Sequence, residues 1–169
     1  MSTYEEIRGQ IKTGDIVLVK GDGVIGKIIR ALTAESYSHV ALFLWLDGGL
    51  WIAEMREGVG FNMQPASQWF DNSKDSCMVG FAPEPVRVVP DLIIDFVMKS
   101  RADKLRYSYF TLFTVWLSQL IGRVLPAGNV CSTWVEKAWR LGGLSIIGTP
   151  DPGDFAQHCT DLKPIRKNG

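Results

Sequence analysis

The feature that most constrains the fold is an unbroken apolar run, Val40 to Leu46, with the sequence VALFLWL. A run of this length is typical of a strand whose two faces are both buried. Asp47-Gly48-Gly49 follows directly and predicts a hairpin turn, because Asp and Gly tolerate the positive φ angles of such turns. Leu50 to Glu57 then predicts the returning strand. The chain therefore places a β-hairpin in its interior.

Other strands and helices are predicted from the spacing of apolar residues around this hairpin. Further strands are predicted over Asp15 to Lys20, Gly58 to Met63 and Met78 to Phe81. Helices are predicted over Val24 to Leu32, Asp91 to Ala102, Ser108 to Val124 and Val130 to Leu141, and a turn-rich tail over Thr149 to Gly169. Because strands precede most helices, we expect an α+β fold in which a small antiparallel sheet, a meander, is covered by helices on one side.

Length and charge exclude several classes of protein. The 169 residues contain neither a repeat nor a long linker, which predicts a single domain over residues 1–169. Lys and Arg number 18 and Asp and Glu number 18, so the chain lacks the basic surplus of a protein that binds nucleic acid through bulk charge. The most apolar stretch, Tyr107 to Leu125, is interrupted by polar residues, and we expect no transmembrane segment.

The cysteines and the first residues bear on the cellular compartment. The chain has three cysteines at wide spacing, Cys77, Cys131 and Cys159, and no CxxC pair, which argues against a disulfide framework. Met1 to Gln10 lacks the apolar core of a signal peptide. Both observations predict a reducing, cytoplasmic setting, with a phage-encoded or lysis-released protein as the alternative.

Cys131 is a candidate nucleophile because it lies at the start of a predicted helix, directly after a Pro-Ala-Gly-Asn segment. The positive end of a helix macrodipole favours the thiolate form of a thiol placed there. Two caps are compatible with the sequence. Asn129 caps the helix in one case; in the other, Thr133 and Glu136 form a capping box and Cys131 lies just outside the helix.

His39 and Glu54 are the candidate partners of Cys131. His39 precedes the buried strand, so that a rigid element holds its ring at the end of the sheet. A thiolate nucleophile needs an imidazole that takes and returns the proton, and a third group that orients the ring. Glu54 lies on the returning strand in an otherwise apolar stretch, where a charge needs a partner. Each of the three residues also has a purely structural interpretation, as a packed thiol, a strand-end histidine and a solvent-facing carboxylate.

Two other motifs are typical of cofactor or metal binding. Gly21 to Gly26 reads G-x-G-x-x-G after a strand, as in dinucleotide-binding proteins, but the next strands form an antiparallel hairpin instead of a βαβ unit. His158 and Cys159 are adjacent, and one such pair provides too few ligands for zinc. We therefore expect neither a cofactor nor a metal ion.

Several short motifs, taken in order, resemble a known family. They are Gly14-Asp15-Ile16-Val17-Leu18, Ser38-His39-Val40-Ala41-Leu42, Trp51-Ile52-Ala53-Glu54, Tyr107-Ser108-Tyr109, Val130-Cys131-Ser132-Thr133-Trp134-Val135 and Thr149-Pro150-Asp151-Pro152-Gly153-Asp154-Phe155. This set resembles the circularly permuted branch of the NlpC/P60 papain-like superfamily, the bacterial YiiX/YaeF type, which is related to lecithin retinol acyltransferase. The resemblance extends over most of the chain.

The resemblance implies a permuted papain-like fold with Cys131 as nucleophile, His39 as base and Glu54 as the third member. It implies a cysteine hydrolase, a peptidase or amidase, that cleaves an amide or ester bond in a peptide, a peptidoglycan fragment or an acyl-amide. Tyr107 and Ser38 are weaker candidates for substrate contacts. Many members have Tyr-Asp where this chain has Tyr107-Ser108, so an acid near the site is lost. The alternatives are an acyltransferase with the same acyl-enzyme and a binding or structural module without turnover.

Overall fold

The apolar hairpin forms the centre of a six-stranded antiparallel sheet in the order β4-β3-β2-β1-β5-β6. The computed structural model describes residues 2–20, 37–73, 76–108, 129–147 and 150–165. The strands are β1 (Ile16–Lys20), β2 (His39–Leu46), β3 (Gly49–Arg56), β4 (Gly60–Pro65), β5 (Ser76–Phe81) and β6 (Asp161–Ile165). The predicted α+β class and the antiparallel meander are confirmed.

Six α-helices accompany the sheet in the described ranges. They are α1 (Tyr4–Ile7), α2 (Ala66–Asn72), α3 (Glu84–Arg87), α4 (Pro90–Ala102), α5 (Cys131–Leu141) and α6 (Pro152–His158), with a 3₁₀ turn at Arg8–Gln10. The predicted helices over Val24 to Leu32 and Ser108 to Val124, and the Gly21 to Gly26 motif, lie outside the described residues, apart from Ser108 itself. The tail, expected to be turn-rich, contains α6 and β6.

The continuous apolar sequence of β2 is explained by burial on both faces. Val40, Leu42 and Leu44 belong to a core beneath α4, α5 and α6. Ala41 and Phe43 belong to a second core, covered by α1 and α2. The expectation of helices on one side is therefore incomplete: the longer helices cover one face, and two short helices cover the other.

The turns fix which residues face each other across the strands. Asp47 and Gly48 have φ angles of 48° and 74°, the left-handed conformation that two-residue hairpins require. This turn aligns β2 with β3 so that Leu42 is opposite Ala53. β1 also pairs antiparallel with β2, so these two strands are not the parallel strands of a βαβ unit.

Helix α5 is buried along most of its length and is anchored at two tryptophans. The Trp134 indole donates to the Ser100 hydroxyl of α4 at 3.1 Å, and the Trp139 indole donates to the Gly14 carbonyl at 2.9 Å. These bonds join the helix to a neighbouring helix and to the segment before β1. The first turn of α5 consequently has a fixed position relative to the end of the sheet.

Candidate active site

Cys131 is the first residue of α5 and is buried, with 6% of its surface exposed. The helix cap differs from both sequence alternatives, because Val130 is the N-cap residue. The Thr133 hydroxyl accepts from the Val130 amide at 3.1 Å, and Asn129 accepts from Lys137 instead of capping the helix. The Cys131 amide is thus among the first N–H groups of the helix, which have no partner within it.

His39 is the first residue of β2, at the end of the sheet, and its side chain is 22% exposed. Its Nε2 lies 2.8 Å from Glu54 Oε2. The ring also forms a side-chain hydrogen bond with Cys131. Because Nε2 is engaged by Glu54, Nδ1 is the nitrogen available to the thiol. The structure therefore brings Cys131, His39 and Glu54 together in a continuous chain of contacts.

The three residues come from the two sides of the sheet. The alternation along β2 and β3 places His39 and Glu54 on the α2 side, whereas α5 covers the opposite face. Contact with Cys131 is nevertheless possible because His39 is the first residue of β2, so its ring lies at the end of the sheet, where the strands begin and end. The register places Glu54 diagonally from His39, which is still within reach of long side chains.

Glu54 is held in a buried, fully partnered environment. Its side chain is 5% exposed. Asn62, directly opposite on β4, donates its Nδ2 to Glu54 Oε1 at 3.0 Å. The Trp69 side chain of α2 also hydrogen-bonds the carboxylate. A buried carboxylate with these partners is stable in its charged form.

The electrostatics of the pair favour an imidazolium beside a carboxylate. Burial lowers the pKa of His39, but hydrogen bonds and opposite charges from Cys131 and Glu54 outweigh burial and raise the pKa to about 10. Burial raises the pKa of Glu54. The hydrogen bond and positive charge of His39, together with the hydrogen bonds from Asn62 and Trp69, outweigh burial, so the pKa of Glu54 lies below its ordinary value. His39 is therefore protonated at neutral pH. An adjacent imidazolium favours a reactive thiolate.

The other two cysteines have different surroundings. Cys159 follows α6 beneath the sheet, and burial together with the charge of Asp15 raises the pKa of its thiol to about 12. Cys77 lies on β5 and is buried, with its sulfur 3.6 Å from the Ser73 hydroxyl. All three cysteines are free thiols. Only Cys131 combines a helix start with an imidazolium.

Ser38 and Tyr107 are the weaker candidates for substrate contact. The Ser38 amide and hydroxyl both donate to the Val19 carbonyl, at 2.9 and 3.4 Å, which ties the start of β2 to the end of β1. Tyr107 is half-buried against the core, and the next residue, Ser108, donates its amide to the Asn129 carbonyl at 3.0 Å. Ser38 thus has a structural role, and substrate contact remains a prediction for both.

Sequence reasoning did not identify Asn62 and Trp69. Asn62 is a polar residue in the strand that pairs with the Glu54 strand, and the turn between those strands would have placed it opposite Glu54. Trp69 had no comparable signal, because no helix was predicted over the segment that forms α2.

The fold and the arranged side chains define a class: an α+β protein with a cysteine, a histidine and a glutamate in contact at the end of an antiparallel sheet. Among solved structures, the chain is similar to YiiX from Escherichia coli O157:H7, described as a DUF1105 metalloprotein. The TM-score is 0.63 at 14% identity, and the match covers 94% of this chain and 98% of YiiX. The expected YiiX-like fold is confirmed.

No family model matches the sequence, and no curated protein matches it either. Within the described ranges, no group of three or more His, Cys, Asp or Glu side chains is arranged to hold a metal ion. None of the helices in the described part of the chain is long and apolar enough to cross a membrane, although most of the apolar stretch Tyr107 to Leu125 lies outside that part.

Proposed function

We propose that this protein is a cysteine hydrolase that cleaves an amide or ester bond through a thioacyl intermediate on Cys131. The observation that carries the proposal is the contact chain from Cys131 through His39 to Glu54, with Cys131 at the start of a buried helix. A thiol, an imidazole and an orienting carboxylate are the groups that nucleophilic acyl transfer requires.

The proposed reaction has two steps. The Cys131 thiolate attacks the substrate carbonyl carbon, the bond to the leaving nitrogen or oxygen breaks, and the His39 imidazolium protonates the leaving group. A water molecule then attacks the thioester while His39 takes one of its protons, which releases a carboxylic acid and restores the thiolate and imidazolium. The Cys131 amide supplies one hydrogen-bond donor to the oxyanion formed in each step.

The substrate class rests on the resemblance to the permuted NlpC/P60 papain-like superfamily. That resemblance favours a peptide, a peptidoglycan fragment or an acyl-amide. The three free thiols are consistent with a reducing compartment such as the cytoplasm.

A metal-dependent reaction is the alternative raised by the description of YiiX as a metalloprotein. The residues of this site do not fit a metal ion. Nε2 of His39 is bonded to Glu54, and the other oxygen of Glu54 is bonded to Asn62. The remaining bond of the ring is to Cys131. These side-chain atoms contact one another in series instead of pointing toward one common position that a metal ion could occupy. The proposed reaction therefore includes no step through a metal ion.

The test is intact-protein mass spectrometry after incubation with p-nitrophenyl acetate, peptidoglycan stem peptides and N-acyl amides. We expect an acyl adduct on Cys131 that is absent in Cys131→Ala and retained in Cys77→Ala, which removes a thiol that lies across β1 from His39. An adduct that transfers to an added amine or alcohol faster than to water identifies an acyltransferase. If no adduct forms, and iodoacetamide alkylates all three cysteines at equal rates, the protein is a binding or structural module.

A further inference from the structure

The carboxylate of Glu54 has two partners that the proposed reaction does not use. Asn62 is its cross-strand neighbour and donates to Oε1 at 3.0 Å. Trp69 reaches the same carboxylate from α2, the helix that covers this face of the sheet. With His39 on Oε2, the carboxylate is surrounded by partners from β2, β4 and α2.

Asn62 and Trp69 are hydrogen-bond donors in this arrangement, and so is the His39 ring while it is protonated. The only polar group of the Trp69 side chain is the indole N–H, which donates and never accepts. Asn62 presents its Nδ2, also a donor. A protonated carboxyl that directed its O–H toward Asn62 or Trp69 would find no acceptor there, whereas an ionised carboxylate accepts from both. The surroundings of Glu54 therefore select its charged form.

We propose that Asn62 and Trp69 are positioning residues, which keep Glu54 ionised and aimed at His39 and so keep His39 protonated beside Cys131. The inference rests on the proposed function, because its purpose is to maintain a thiolate and an imidazolium before substrate binds. Neither residue is assigned contact with the reacting atoms. Their effect reaches Cys131 only through Glu54 and His39.

Other charges on the packed elements lie at the periphery of this cluster. β4 carries no charged residue, and β2 carries none besides His39. On β3 the other charge is Arg56, and on α2 it is Asp71; both side chains are exposed. Solvent screens exposed charges, so the buried hydrogen bonds dominate the charge state of Glu54.

The test is an NMR titration of His39 in Trp69→Phe, which keeps an aromatic ring and removes the N–H donor. The chain has two histidines, so His158, whose Nδ1 contacts the Asp154 carbonyl, serves as an internal reference. Without this donor the carboxylate is aimed less firmly at His39. Because an opposite charge in contact raises the pKa of a histidine by about 1–3, we expect the pKa of His39 to fall by about 1 as part of that effect is lost.

The matched control is Trp45→Phe. Trp45 lies on the same face of the sheet, and its indole donates to the Ile11 carbonyl at 2.7 Å, so the control also loses one indole hydrogen bond. We expect no change in the His39 titration in this variant. An unchanged titration in folded Trp69→Phe, or an equal shift in Trp45→Phe, overturns the inference.

A second variant, Asn62→Leu, keeps the test decisive if Trp69→Phe does not fold. Asn62 is half-buried on the edge strand β4, where a similar-sized substitution is tolerated. The same downward change of about 1 in the pKa of His39 is expected, and its absence contradicts the inference.

Because the titration needs no substrate, the positioning role and the proposed hydrolase activity can fail separately. A missing acyl adduct together with the expected shift in the pKa of His39 refutes the hydrolase alone. An adduct on Cys131 without the shift refutes only the positioning role.

Discussion

Replacing Glu54 by Gln tests whether the carboxylate controls the charge of His39. The substitution keeps the length of the side chain and removes one negative charge located 2.8 Å from the ring nitrogen. Asn62 can still donate to the amide oxygen of Gln. The amide nitrogen then faces His39 Nε2, which favours a neutral ring that accepts a hydrogen bond at this atom.

The magnitude follows from the distance and the burial of the pair. The His39 and Glu54 side chains are 22% and 5% exposed, so solvent screens their interaction only in part. An opposite charge at this range changes a pKa by about 1–3. We therefore expect the pKa of His39 to fall by about 1–3 from its value of about 10. Each unit corresponds to about 1.4 kcal/mol.

A second readout is the pH dependence of stability. The lowered pKa of Glu54 contributes stability above its ordinary value of 4.5, which is lost as the pH falls. The raised pKa of His39 contributes stability below its ordinary value of 6.5, which is lost as the pH rises toward 10. The difference in unfolding free energy between wild type and Glu54→Gln should be largest between these two ordinary values, at about 1–3 kcal/mol.

The assays are the NMR titration of His39 and urea denaturation over the range from acidic to alkaline pH. Glu54→Gln should also slow alkylation of Cys131 at mildly alkaline pH, because fewer molecules of the variant than of the wild type carry the imidazolium there. A His39 titration that coincides with wild type, or a stability difference independent of pH, would refute the assignment of Glu54 as the charge partner of His39.

Three further outcomes follow from the same structure. At pH 7 iodoacetamide should alkylate Cys131 and spare Cys159, whose pKa of about 12 leaves about one thiolate in 10⁵; equal peptide labelling rates contradict this. Gly60→Ala should cost about 1–3 kcal/mol in urea denaturation, because its φ is 86° and a Cβ would lie 2.6 Å from a backbone carbonyl oxygen; unchanged stability contradicts this. Asp15→Ala should cost about 3–5 kcal/mol by the same measurement, since Arg87 loses a buried partner at 3.1 Å; a loss below about 1 kcal/mol indicates that another group compensates.

Local sequence determined the secondary structure of the sheet and the position of the nucleophile. The apolar run of β2 and the Asp47-Gly48 turn specify a buried hairpin, because burial and positive φ angles are properties of adjacent residues. The strand-end position of His39 and the placement of Cys131 near a helix start follow from equally local signals, whereas the N-cap, Val130, differs from both predicted caps. Their grouping with Glu54 was expected from the ordered motifs, and the diagonal register shows how the side chains meet.

Only the tertiary structure decided what surrounds Glu54. The chain leaves β4 at one edge of the sheet and resumes at β5 on the far side of β1, with α2 in the connection covering the face between them. Trp69 reaches the carboxylate because α2 turns back over β3 and β4 where β4 ends, and burial on this face of the sheet holds the helix in place. Short helices have little stability of their own, so α2 and its contact with Glu54 depend on packing that no local pattern encodes.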